Sequence, residues 1–152
     1  MHRLLASWFG TGLIIGKVRG SDTGSGTVGS LFAAVIALFI GSRYGWVAQI
    51  VATAIIILLS VWSAGRFVED EGDAGWIVID EAAGIFLALI GLSLWPGSMV
   101  AFVVFRAADI FKDKFPGVAA AERLRGAIGV TADDLVAGLY GLAAGHIVQT
   151  LF

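Results

Sequence analysis

The chain of 152 residues has no cysteine, which excludes disulfides, thiolate nucleophiles and cysteine-ligated zinc. Charge is also scarce, at 14% Asp, Glu, Lys and Arg, where a soluble domain carries about 25%. A net charge of −2 argues against nucleic acid as a partner and gives no strong long-range field. There are two prolines against 21 glycines, a balance that suits closely packed helices better than disorder. Of the two histidines, His2 is terminal and His146 falls in the far half of the last apolar segment, away from every acid. A structural hydrogen bond is the expectation for His146. The opening Met1-His2-Arg3-Leu4-Leu5-Ala6 shows no small-residue cleavage site after an apolar run, so no signal peptide is expected.

What remains is hydrocarbon. Hydrophobic residues make up 58% of the chain and the mean hydropathy is +0.89, far outside the soluble range. Length suggests a single membrane-embedded domain over residues 1–152. Five apolar stretches can be drawn, at about 29–41, 46–64, 77–95, 98–105 or slightly beyond, and 135–152. The expected fold is an all-α integral membrane bundle of four to five hydrophobic helices, some of them short. Only the second stretch is a conventional span of about 20 apolar residues. The glycine-broken N-terminal stretch, Leu4 to Gly16, is too short to span and is expected to form an interfacial or capping helix. Threaded through a bilayer, these stretches leave Arg43 alone on one side. On the other fall Arg3, Lys17, Arg19, Arg66, Arg106, Lys112, Lys114, Arg123 and Arg125, which should therefore be the cytoplasmic side.

The same threading can place all twelve carboxylates on that cytoplasmic side. Two pairs stand at segment entrances: Asp80-Glu81, after Trp76-Ile77-Val78-Ile79, and Asp133-Asp134, before Leu135. A carboxylate beside hydrocarbon needs a cation, a metal or a substrate as partner, because removing it from water is costly. The competing readings are a solvated helix N-terminus for the first pair and an N-cap shared with Thr131 for the second. Gly138, Gly141 and Gly145 follow Asp134 at spacings of four, three and four, a small-residue stripe that would turn Asp134 into the bundle. Arg106 and Asp109 share a helix face that Lys112 extends, which suits either an intrahelical ion pair or a phosphate. The segment Ser21 to Ser30, with Thr27 inside it, is rich in glycine and hydroxyls. It could cradle phosphate at a helix N-terminus or serve only as an entry loop. It lacks the Gly-Lys-Ser/Thr ending of a P-loop. Cys-x5-Arg, Asp-x-Asp-x-Thr/Val and paired-histidine phosphatase patterns are absent as well. Acids, Arg, Lys and a Gly/Ser loop on one membrane face suit hard, oxygen-ligated Mg²⁺ and a phosphate.

Four blocks of the chain resemble the phosphatidylglycerophosphatase A family, in that family's order and over about residues 10–141. They are Gly26-Thr27-Val28-Gly29-Ser30-Leu31, Ile77-Val78-Ile79-Asp80-Glu81-Ala82-Ala83-Gly84, Phe105-Arg106-Ala107-Ala108-Asp109-Ile110 and Asp133-Asp134-Leu135-Val136-Ala137-Gly138. The resemblance implies a Mg²⁺-dependent, multi-pass lipid phosphatase of the bacterial inner membrane. Its substrate would be phosphatidylglycerophosphate, and its products phosphatidylglycerol and inorganic phosphate. It further implies Asp80, Glu81, Asp109, Asp133 and Asp134 as acidic catalytic and metal-binding residues, and Arg106, Lys112, Thr27 and Ser30 as phosphate contacts. Within that set, Asp80 and Asp134 are the expected metal ligands and Glu81 the expected base. One departure is that Lys112 is followed by Asp113, where the family usually has proline. The alternative from another class is a divalent-cation transporter or a non-catalytic membrane subunit, whose acids should lie near the midplane.

Overall fold

The computed structural model describes residues 2–13, 24–67, 75–124 and 126–152. Lys17, Arg19, residues 21–23 of the glycine/hydroxyl segment, the acidic connection at 69–73 and Arg125 lie outside the described residues. Among the described residues all regular structure is helical, as expected. The elements are α1 (His2–Ala6), α2 (Ser25–Tyr44), α3 (Trp46–Ala64), α4 (Ile79–Ala88), α5 (Gly97–Ile110), α6 (Val118–Glu122) and α7 (Ala127–Leu151). A single 3₁₀ turn, Lys112–Lys114, follows α5. Three helices, α2, α3 and α7, are long and apolar enough to cross a membrane.

Helices α2 and α3 meet at Gly45, whose φ of 82° and ψ of 174° form a conformation that only glycine adopts cheaply. They fold back on one another there: the Gln49 amide donates to Ala37 O at 3.0 Å, which an unbroken helix would not permit. The first span therefore covers Ser25–Tyr44 rather than 29–41, because its Gly, Ser and Thr residues join the helix despite their low hydropathy.

The third stretch departs most from expectation. Instead of a span over 77–95, the helix runs only from Ile79 to Ala88, about 15 Å against a hydrocarbon core of about 30 Å. Residues 75–78 enter it without regular structure, and turns through Gly91 (φ 73°) and a cis Trp95–Pro96 bond follow it. This half-length helix is the centre of the bundle. Ile79, Ala82, Ala83, Ile85, Phe86 and Ala88 are all buried, packed among the α2–α3 hairpin, α5 and α7. The exposed apolar side chains lie mostly on the outer helices, for example Leu58 on α3 and Val103 on α5, where lipid is the natural solvent.

The fourth stretch extends to Gly97–Ile110 and the fifth begins at Ala127, upstream of the expected 135. Asp133 and Asp134 consequently lie inside α7 instead of at its entrance, and Thr131 is no cap. The Thr131 hydroxyl bonds Ser60 Oγ at 2.8 Å, tying α7 to α3. The N-terminal helix stops at Ala6, and Trp8 turns inward against Phe86 at a centroid distance of 6.1 Å. Ala6 O accepts from Val78 N at 2.9 Å, so this segment covers the approach to α4.

The two ends of the bundle differ in content. The near end gathers the start of α2, the end of α3, the start of α4, the end of α5 and the start of α7. The far end holds the α2–α3 turn, the loop after α4 and the end of α7, where His146 Nε2 contacts Ile90 O at 2.9 Å as expected.

Candidate active site

Helices α4 and α7 run in the same direction from the near end, and each carries an aspartate four residues before a glycine: Asp80 and Gly84, Asp134 and Gly138. The glycines are where the two backbones touch. A Cβ on Gly138 would sit 2.5 Å from Gly84 O, and one on Gly84 would sit 2.6 Å from Asp134 O. With the glycines in contact, one helical turn higher the aspartates face each other. Carboxylate oxygens of Asp80, Glu81 and Asp134 lie within 4.8 Å of one another. Asp80 and Asp134 are each 4% exposed, and Asp134 is about 10 Å along α7 from its start. The cluster is recessed below the near end but does not reach mid-bundle.

Part of this cluster is hydrogen-bonded and part is not. Glu81 N donates to Asp80 Oδ1 at 3.0 Å. Glu81 Oε2 and Asp134 Oδ1 are buried with no hydrogen-bond partner among the described residues. Buried carboxylate oxygens left in that state are costly. Three clustered carboxylates without nitrogen or sulfur donors are the ligand set of a hard divalent cation. The residues therefore fit a metal of the Mg²⁺ type.

Arg106 stands beside the cluster. Its Nη1 donates to Asp109 Oδ2 at 2.5 Å and to Ser30 Oγ at 3.4 Å, and its Nη2 donates to Thr27 Oγ1 at 3.2 Å. The first turn of α2 fits between Arg106 and Glu81 because residue 26 is glycine: a Cβ there would strike the Glu81 carboxylate. Thr27, Ser30 and Asp109 are thus tied to Arg106 next to the acids. Lys112 is engaged differently. Its ammonium donates to Asp133 Oδ2 at 2.5 Å and to Glu122 Oε1 at 2.8 Å. Burial alone would lower its pKa, but these two carboxylates outweigh burial and hold it above the ordinary lysine range.

Of the five acids singled out from sequence, three converge, Asp109 is held by Arg106 and Asp133 by Lys112. Glu122, the second partner of Lys112, had no sequence signal, since its pairing depends on how the loop after α5 folds back over α7. Gly26 and Gly84 appeared only as motif letters, and their packing roles emerge from the helix contacts.

The fold and site define a class: a helical membrane protein with a recessed, all-oxygen acidic cluster flanked by an arginine. The family model for phosphatidylglycerophosphatase A matches residues 4–149, and the chain belongs to that family of lipid phosphatases. It is 33% identical over 150 residues to phosphatidylglycerophosphatase A of Haemophilus influenzae, covering 96% of this chain and 87% of that one. It is also 30% identical over 146 residues to a putative phosphatidylinositol-3-phosphatase of Bacteroides thetaiotaomicron, covering 90% of this chain and 86% of that one. No solved structure matches the chain.

Proposed function

We propose that the protein hydrolyses phosphatidylglycerophosphate to phosphatidylglycerol and inorganic phosphate, with Mg²⁺, at the cytoplasmic face of a bacterial inner membrane. The observation that carries this reading is the pair of buried oxygens on Glu81 and Asp134 that lack a partner among the described residues, beside an arginine that already grips two hydroxyls. Asp80 and Asp134 would hold the ion, with Glu81 beside them. A bound Mg²⁺ would supply charge neutralisation at the phosphoryl oxygens. Arg106, Thr27 and Ser30 bind the phosphate, the guanidinium offering its planar fork. Glu81 orients a water and accepts its proton as the water oxygen bonds to phosphorus. The ester P–O bond breaks, and the departing glycerol oxygen takes up a proton from solvent water. Asp109 and Asp133 serve the site from its rim, Asp109 by aiming Arg106. Lys112 keeps one N–H free of its two carboxylate partners, and that donor can meet phosphate.

The basic residues support the orientation. Among the described residues Arg3, Arg66, Arg106, Lys112, Lys114 and Arg123 belong to the near end and Arg43 to the far end. A transport role is disfavoured, because the acids gather toward one end instead of the midplane. The Bacteroides relative's name motivates a second substrate, an inositol lipid phosphomonoester.

The test is phosphate release in detergent from phosphatidylglycerophosphate and from a phosphatidylinositol monophosphate. Wild type and Asp80→Asn are compared, each with Mg²⁺ and with chelator. Release from the first lipid, abolished by chelation and by Asp80→Asn, is expected. Full activity of the variant would sink the metal reading, and turnover of the inositol lipid alone would transfer the chemistry to that substrate.

A further inference from the structure

Helix α4 is walled in by the α2–α3 hairpin, α7 and α5. Two of the seams between these neighbours are tight. The Ser60–Thr131 bond joins α3 to α7, and α7 meets α5 so closely that a Cβ on Gly141 would sit 2.7 Å from Ala101 O. The remaining seam, between α5 and α2, is open, because the backbones of these two helices hardly approach one another. Arg106 spans it, reaching from α5 to Thr27 and Ser30 on α2. The first turn of α4 lies directly behind the arginine. A Cβ on Gly26 would meet the Glu81 carboxylate and, at 3.4 Å, Arg106 Nη2. Arg106 Nε is buried with no hydrogen-bond partner among the described residues, so the guanidinium keeps a donor in reserve. Below the arginine the seam is hydrocarbon. Leu31 follows Thr27 by one turn and Val103 precedes Arg106 by three residues, and they are 57% and 62% exposed.

We propose that the α2–α5 seam is the doorway through which the lipid substrate enters sideways from the bilayer. Its phosphate passes between the two helices to the acids, while its acyl chains stay in lipid. The proposal rests on the lipid-phosphatase reading above and adds the route by which that substrate reaches the site. Entry from the aqueous end would withdraw the chains from hydrocarbon, at a cost that grows with every methylene exposed. Entry through either tight seam would part a buried hydrogen bond or glycine-packed backbones. At the α2–α5 seam the phosphate instead meets a guanidinium first and displaces only contacts to two hydroxyls. Depth agrees with this. Leu31 lies about 6 Å below Thr27 and Val103 about 4.5 Å below Arg106, within the outer half of a leaflet about 15 Å deep. The first methylenes of a lipid fall at that level when its phosphate is at the arginine.

The chain has no cysteine, so a reactive pair can be placed cleanly across the seam. Leu31→Cys and Val103→Cys are combined, the protein is set in nanodiscs, and the thiols are bridged with a bifunctional, reducible methanethiosulfonate. Phosphate release is followed from dipalmitoyl phosphatidylglycerophosphate in the disc and from the dihexanoyl lipid dissolved in water, which can approach from the near end. Bridging should lower release from the dipalmitoyl lipid at least about tenfold below either single-cysteine variant treated alike, with recovery on reduction. The dihexanoyl lipid should lose less than about twofold. Unchanged release from the dipalmitoyl lipid would mean that it enters elsewhere, and an equal loss with both lipids would mean that the bridge distorts the site. Either result would overturn the proposal. Absence of phosphate release by wild type from both lipids would instead remove the substrate reading beneath it.

Discussion

The two ends of the bundle bury polar side chains under opposite rules. At the far end, Gln49 is 1% exposed and both polar atoms of its amide are bonded to backbone groups of α2 and the region after α4. Gln149, only partly buried, is satisfied in the same way, accepting from Ser93 N at 2.7 Å and donating to Gly91 O at 3.4 Å. At the near end, three carboxylates crowd together and two of their oxygens have no partner among the described residues. Satisfied polar groups hold a fold together, whereas crowded, unsatisfied ones lower its stability unless a ligand completes them. The far end is structural. The near end could hold a metal ion.

Substitutions at the two ends should therefore separate activity from stability. Asp134→Asn should have the largest effect, lowering kcat by roughly 10²- to 10⁴-fold in a phosphate-release assay. Its melting temperature without metal should be equal to or above that of wild type, because one of three clustered charges is gone. Gly138→Ala should damage both properties, since the new methyl would meet Gly84 O and push α7 away from α4. A stability loss of about 1–3 kcal/mol, measured by chemical or thermal unfolding in detergent, should accompany an activity loss of at least about tenfold. Gln49→Leu should reverse the pattern of Asp134→Asn, costing about 1–3 kcal/mol because Gly91 N loses its acceptor, with kcat retained below the melting point. Glu122→Gln should be the mildest. Its ion pair with Lys112 is half exposed and is worth less than about 1 kcal/mol, so unfolding and kinetics should both stay close to wild type.

The sequence revealed the near end better than the central helix. Acids embedded in apolar runs stand out, and so does the Gly138–Gly141–Gly145 stripe that lets α7 approach its neighbours. The end of α4 was hidden because residues 89–95 are as apolar as the helix before them. Buried turns and buried helix have the same composition, and only Gly91 and Pro96 mark the change. The start of α7 was hidden for the opposite reason, since Gly129 and Thr131 dilute the hydropathy of a helix that had already begun. Asp133 and Asp134 read as one motif along the chain. On a helix, however, neighbours point about 100° apart, so Asp134 joins the cluster while Asp133 turns to Lys112. Asp80 and Glu81 escape that separation because the longer glutamate side chain reaches back to the same place. Which carboxylates met was a property of helix contacts, not of spacing.

We propose that Asp80, Glu81 and Asp134 form a divalent-cation site. It is tested most directly by the melting temperature of the purified protein in detergent, titrated with Mg²⁺ and then with chelator, for wild type and Asp134→Asn. Binding to the folded state alone raises stability by RT ln(1 + [Mg²⁺]/Kd). A saturable, chelator-reversible rise is expected in wild type and should be lost in Asp134→Asn. A rise of equal size in both proteins, or none in a wild type that still releases phosphate, would contradict it.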